Sequence, residues 1–361
     1  MRARPAFDGF GICFYPMPPI MTTLFTRRWF LQGSLALAGI SWMRAVGGRN
    51  VSRAMTSAAS SPEVLEMWLA TLADAKDQAR MNGIEEGLLN GIALLEDEYP
   101  LDALAGLYPD EPPVAVLVDA RSGGKTTTVM ARRLAGALME MGSAGETITI
   151  VDVRDEDLEA GGYVVSREGS GPRCFGAEPA PGYGEPMTIE GTRAPVRLSR
   201  VVQDERARIA VVARLGAGPK GMAPFVLDAA LRAFDTATRQ RALAEPEFGA
   251  RILSSPRIGG KIRLVVGDLF DVQTGASPNK IRAAAEKAPA DPALSPVWKA
   301  DELLVGHDLF AVERVGHTLL SESCKARGLS PLGEHPILRA AVALGIPGAA
   351  LPGVSWKKVM Q

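Results

Sequence analysis

The chain has 361 residues, 47% of them hydrophobic, enough for one large domain or two modest ones with a buried core. Its 40 basic and 41 acidic residues leave a formal charge of -1, so no global field draws it to nucleic acid or to an anionic membrane surface. Aromatic residues make up only 6%, and no basic stretch is interleaved with them to stack bases, so no nucleic-acid partner is expected.

Residues 1–60 read as a leader. Thr26–Gly33, TRRWFLQG, precedes the short apolar run SLALAGISWM, which is too short to span a bilayer comfortably but has the proportions of a signal-peptide core. The pair Arg27 and Arg28, followed by an aromatic residue and a leucine, resembles the twin-arginine consensus, with Gln32 where a basic residue often stands. Arg44, Arg49 and Arg53 beyond the apolar run fit the same pathway. The expectation is a periplasmic or otherwise extracytoplasmic protein whose first partner is the twin-arginine translocase. The alternative is an ordinary helix starting at Thr26. Ser57-Ala58-Ala59 would serve as a cleavage site, and an uncleaved signal would be the protein's one attachment to the membrane. Met21 offers a second start, which would leave out Cys13. Cargo of this pathway crosses folded, often with a cofactor or an exported protein partner.

From Ser61 to about Glu98 the apolar residues, including Val64, Leu65, Trp68, Leu69 and Leu72 and later Ile84, Leu88, Leu89 and Ile92, recur at three and four, the spacing of a helical arm of two amphipathic helices. An α/β domain over 99–361 follows. Strands are predicted at 113–119, 147–152, 209–215, 261–268 and 302–306, alternating with helices at 126–141, about 155–161, about 224–242, 309–327 and 335–345. That alternation implies a mostly parallel sheet flanked by helices. Gly161 to Arg197, rich in Gly, Pro and Glu, reads as a long surface excursion.

The turn ARSGGKTTT, residues 120–128, sits between a strand and a helix, as a phosphate-binding loop does. That loop requires a glycine six residues before its lysine, so that the backbone can wrap the phosphates, and counting back from Lys125 the position holds Asp119. A carboxylate there repels phosphate, which makes nucleotide binding the least favoured reading.

Other segments match in order. ETITIVDVRDEDLEAGGY (146–163), KIRLVVGDLFDVQTGASP (261–278) and LLVGHDLFAVERVGHTLLSESCKARGL (303–329) resemble, in turn, segments of the family called domain of unknown function 362. These are a strand ending in an aspartate-arginine pair, a strand ending in Asp before a glycine-proline loop, and an Asp opening a helix with a second acid five residues on. The resemblance spans roughly 100–346 and implies that the threonine-rich turn belongs to the fold. The chain departs from the family's pattern at its Leu-Lys-x-His motif, which is replaced by ARLGAGPKGM without a histidine, and at Glu313, where an Asp is usual. Some members carry cysteine-rich ferredoxin modules, whereas the cysteines here are Cys13, Cys174 and Cys324, widely spaced, with no iron–sulfur cluster or zinc site from this chain. After loss of Cys13 at most one disulfide could form. Of the histidines His307, His317 and His335, His307 and His317 flank a predicted helix and read as surface or packing residues rather than ligands.

Three predicted strands end in Asp119, Asp152 and Asp268, and a fourth runs into Asp308. In a parallel sheet such ends share one rim, where open α/β folds place ligands, and four carboxylates there suit a divalent cation, with Arg121, Lys125 and Arg154 holding an anionic substrate. The competing role for each is capping the next helix, which fits Asp308 best. Two functions follow: a non-catalytic accessory protein that binds a ligand or partner, or a metal-dependent enzyme using the aspartates.

Overall fold

The computed structural model describes residues 61–72, 77–109, 111–121, 124–178, 181–216, 225–273, 297–298, 300–326 and 333–361, all within the compact unit Ser60–Gln361. The expected export signal, with Arg27 and Arg28, lies outside the described residues. In chain order the elements are β1 (Glu63–Trp68), α1 (Asp77–Glu96), α2 (Pro100–Leu107), β2 (Val114–Val118), α3 (Lys125–Glu140), β3 (Ile148–Asp152), α4 (Asp155–Ala160), β4 (Arg173–Gly176), β5 (Met187–Thr188) and β6 (Pro195–Val196). They continue with α5 (Arg200–Gln203), β7 (Arg208–Gly216), α6 (Val226–Leu231), α7 (Thr236–Ala244), α8 (Pro246–Ser254), β8 (Ile262–Gln273), β9 (Val297–Trp298), β10 (Glu302–Gly306), α9 (Leu309–Ala326), α10 (Pro336–Ala343) and β11 (Ser355–Met360).

One mixed sheet organises the molecule, in the order β11-β1-β10-β8-β7-β2-β3-β4, with β9 paired to the far end of β8. From β8 to β4 every neighbouring pair is parallel. The reversal comes at β10, which runs antiparallel to both β8 and β1. Alternate residues of the central strands feed two apolar layers. Leu117, Val151, Val211 and Val265 pack with α6, α8, α9 and α10, while Val116, Ile150, Val212 and Val266 pack with α1, α2 and α3. Helices therefore cover both faces, which is why these strands read as continuous apolar runs.

Three expectations are corrected. The first half of the expected helical arm is β1, an inner strand of the sheet, and only α1 is helical. Val64 is buried on one face of the sheet and Leu65 and Met67 lie in the other layer, so the apolar spacing came from burial on both sides. The excursion after Gly161 contains β4, which extends the sheet beyond β3 with Cys174 and Phe175 buried. The helix expected over 224–242 is two, because Asp235 starts a new one by accepting from the Thr238 amide at 2.8 Å. Among the described residues no helix is long and apolar enough to cross a membrane.

Candidate functional site

The parallel register fixes where the acids go. Val118 lies beside Val212 and Val212 beside Val266, with Leu117 beside Val151, so Asp119 and Asp152 at the ends of β2 and β3 fall at nearly the height of Asp268, which, against expectation, does not end its strand, since β8 runs on to Gln273. Asp119, Asp152 and Asp268 consequently lie along one rim. Asp308 does not. Because β10 is antiparallel, with Leu303 opposite Asp268 and Gly306 opposite Val265, its final residues emerge at the opposite rim. There the Asp308 carboxylate accepts from the Ala311 amide at 2.7 Å, capping the start of α9.

Asp119 and Asp152 share a cation, and it is a side chain. Arg232, immediately after α6, donates from one terminal nitrogen to Asp119 Oδ1 at 2.6 Å and places the other 3.3 Å from Asp152 Oδ1. Asp152 also accepts from the amides of Ala120 at 2.8 Å and Val153 at 2.6 Å. Complete burial pushes its carboxyl above the ordinary carboxylate range, while Arg232 pulls against that shift. Asp268 is held apart from this pair. The hydroxyls of Thr126 and Thr127 donate to its Oδ2 at 2.5 and 2.6 Å, and the Phe270 amide donates to Oδ1. The threonines of GGKTTT thus tie the start of α3 to β8. Burial raises the Asp268 carboxyl, opposed by these hydroxyl bonds.

The expected metal rim is corrected accordingly. Asp308 is on the other side, Asp268 is saturated by hydroxyls, and Arg232 stands between the remaining two. Among the described residues no group of three or more His, Cys, Asp or Glu side chains is placed to hold a metal ion.

Of the expected anion-binding residues, Arg121 and Arg154 come together and Lys125 does not join them. Arg121 pairs with Asp157 at 2.5 Å and Arg154 with Glu178 at 3.0 Å. Both arginines line a cleft of about 510 Å³ at the rim, together with Glu156, Asp157 and Glu178. Two guanidiniums facing three carboxylates leave no positive surplus there. Lys125 is exposed at the first position of α3 and does not line this cleft.

Behind the cleft lies a polar cluster that sequence reasoning missed. Tyr183 Oη, Asp228 Oδ1, Arg232 Nε and Arg239 Nη1 are sealed from solvent without a hydrogen-bond partner. Glu178 links the cluster to the cleft, since Thr236 donates to it at 2.5 Å and Arg239 lies one turn further along α7. Burial, reinforced by the Asp119 charge, lifts the Asp228 carboxyl to about 6 despite Arg232 and Arg239. Burial and Glu178 push the Tyr183 phenol to about 12. Burial and the neighbouring Arg232 lower the Arg239 pKa, with Asp152 and Tyr183 opposing. On its other side Asp228 Oδ1 stands 3.9 Å from His335 Nε2, and burial with His317 nearby drops the His335 pKa to about 4, so this imidazole is neutral near pH 7. No local signal marks the cluster, because Arg232 reaches Asp119 across 113 residues of chain.

Cys174 and Cys324 are both buried and form no disulfide with each other. No family model matches the chain, and no curated protein matches it.

Proposed function

We propose that the chain is an exported, non-catalytic accessory protein that binds a small polar ligand at the carboxyl-end rim of its parallel strands. The observation that carries this reading is the set of four buried, unpartnered polar atoms on Tyr183, Asp228, Arg232 and Arg239, gathered beside an open cleft. Buried polar groups nearly always find partners, and each exception calls for a ligand, a water or a functional role. Open α/β sheets bind ligands at this rim. The similarity of residues 146–163 and 261–278 to domain of unknown function 362 supports attention to the same place, since both segments deliver a rim aspartate, Asp152 and Asp268. A metal-dependent enzyme built on Asp119 and Asp152 would first have to displace Arg232.

Export and binding are tested separately. Replacing Arg27 and Arg28 by lysine should strand the protein in the cytoplasm, because the guanidinium fork makes contacts an ammonium cannot reproduce. Unchanged export would remove the twin-arginine reading. For binding, thermal melting of the purified chain is followed against a panel of organic acids, sugars, polyols, amines and phosphate. A ligand that binds only the native state must raise the melting temperature. A panel with no effect, together with metal-dependent turnover, would replace this reading with the enzyme.

A further inference from the structure

Another cleft, of about 350 Å³, opens where α3 crosses the β3–β4 edge of the sheet, and it shares no lining residue with the rim cleft. Ile150 of β3 and Cys174 of β4, partners in the strand register, both contribute to it. Gly136 and Met139 line it from α3, and Tyr163 and Val164 from the segment after α4. Arg132, one turn before Gly136 on the same face of α3, reaches over this segment and donates to the Gly162 carbonyl at 3.0 Å.

Two features separate this cleft from a fault in packing. Glycine weakens a helix interior, yet nothing in the surroundings demands one at Gly136: a Cβ there would meet no heavy atom closer than Arg133 Nη1, at 3.7 Å. What the missing side chain leaves is open space in the cleft. The second feature is charge. Arg132 is the one charged side chain of the lining, since burial keeps the Tyr163 phenol and the Cys174 thiol, the latter pushed up to about 12, in their neutral forms. No carboxylate pairs with Arg132 among the described residues. Asp155, the acid whose field reaches Cys174, is taken up by Arg167 at 2.6 Å and by the Gly176 amide at 2.7 Å.

We propose that this cleft is a binding site separate from the rim, taking a small amphiphilic monocarboxylate whose hydrocarbon body lies against Ile150, Cys174 and Met139 and whose head meets Arg132 at the mouth. Its volume falls in the range of small-molecule sites, which are mostly apolar with a few polar groups that set orientation. A guanidinium fork matches a carboxylate. An ammonium head would face Arg132 with no acid in the lining to offset it, and a short polar anion would leave the apolar walls uncovered.

Isothermal titration of the purified chain with butyrate, hexanoate, octanoate, 1-octanol and octylammonium tests the assignment. Affinity should rise from butyrate to octanoate by roughly twofold to fourfold for each methylene buried, with octanol weaker than octanoate and octylammonium weakest. Gly136→Leu fills the cleft from α3 and removes a helix-weakening residue, so octanoate binding should be lost while the melting temperature stays the same or rises. Arg132→Gln should weaken octanoate by roughly threefold to tenfold and leave octanol unchanged. Met139 is 38% exposed, so Met139→Glu carries the test if Gly136→Leu does not fold: a carboxylate beside the mouth should narrow or reverse the preference for octanoate over octylammonium. Absence of octanoate binding overturns the inference, as does octanol or octylammonium binding as tightly as octanoate. Octanoate affinity unchanged in a folded Gly136→Leu, or a preference unchanged in Met139→Glu, overturns it too, because the amphiphile would then sit elsewhere.

Discussion

Arg232→Met isolates the central contact of the rim. The substitution keeps an unbranched side chain of similar reach and deletes the guanidinium that lies 2.6 Å from Asp119 and 3.3 Å from Asp152. Two carboxylates, 5% and 0% exposed, then face each other without a cation. Removing one partner of a buried ion pair costs about 3–5 kcal/mol, because the remaining charge cannot be rehydrated. Asp152 keeps its two backbone amide donors, which places the expected loss near the lower end, about 3 kcal/mol. The pH dependence has a definite sign. The Asp152 carboxyl already sits above its ordinary 3.8 in the fold, with Arg232 opposing that rise, so the substitution lifts it further. A carboxyl raised in the native state favours folding when protonated, and that contribution is lost as pH climbs through the folded-state value. The deficit of the variant should therefore be largest near about pH 7.5 and shrink toward about pH 4.5. Urea denaturation at both pH values measures it, and adding Asp119→Asn to the variant should recover part of the loss at the higher pH. A deficit below about 1 kcal/mol, or one equal at both pH values, would show that Arg232 does not neutralise this pair.

Asp308→Ala should cost about 1 kcal/mol by removing the cap of α9, and it should leave ligand affinity at the rim untouched; a change in that affinity would contradict the placement of Asp308 on the opposite side. The buried Cys174 thiol, pushed up to about 12 chiefly by desolvation, should stay unreactive toward a thiol reagent in the native protein and react on denaturation; rapid native labelling of Cys174 would refute that burial. His307 is raised above its ordinary 6.5: burial lowers it, but Glu96 at 2.6 Å and the Arg263 carbonyl at 2.8 Å outweigh that. Its stabilisation is thus complete below the unfolded-state value and fades as pH rises through the folded one, so His307→Asn should lower the melting temperature in mildly acidic buffer and far less in alkaline buffer. An equal loss at both would mean that the ion pair with Glu96 contributes nothing.

How much of this was legible in sequence depends on how each element is buried. The strands at 113–119, 147–152 and 209–215 announced themselves as apolar runs because helices cover both of their faces, and their bounds match β2, β3 and β7 closely. Burial on both faces hid β1, since EVLEMW shows no strand alternation when Val64, Leu65 and Met67 are all enclosed. β11 was missed for the opposite reason. It forms the sheet edge, with Lys357 and Lys358 exposed, so SWKKVM carries no apolar run, although Trp356 donates to the buried Glu66 at 2.8 Å. Asp119 breaks the phosphate-loop pattern of the threonine-rich turn in sequence, yet the turn's partner in the fold, Asp268, lies more than a hundred residues away and follows from no local pattern.

Strand direction explains the rest of the site. Four aspartates at strand ends look equivalent in sequence, and the reversal at β10 alone sends Asp308 away from the others. Of the three that remain, Asp119 and Asp152 are close enough to need a common positive partner, because two buried carboxylates cannot both ionise beside each other unaided. A metal, a shared proton or a guanidinium would each satisfy that requirement, so a cation was foreseeable and its identity was not. Supplying it from Arg232 spreads one positive charge over two acids, and Asp228, lifted to about 6 and so still mostly ionised at neutral pH, offsets the charge of Arg239, so the rim holds no surplus of positive charge. What separates this place from a structural ion-pair network is the set of sealed polar atoms on Tyr183, Asp228, Arg232 and Arg239 that accept or donate no hydrogen bond among the described residues, gathered beside an open cleft.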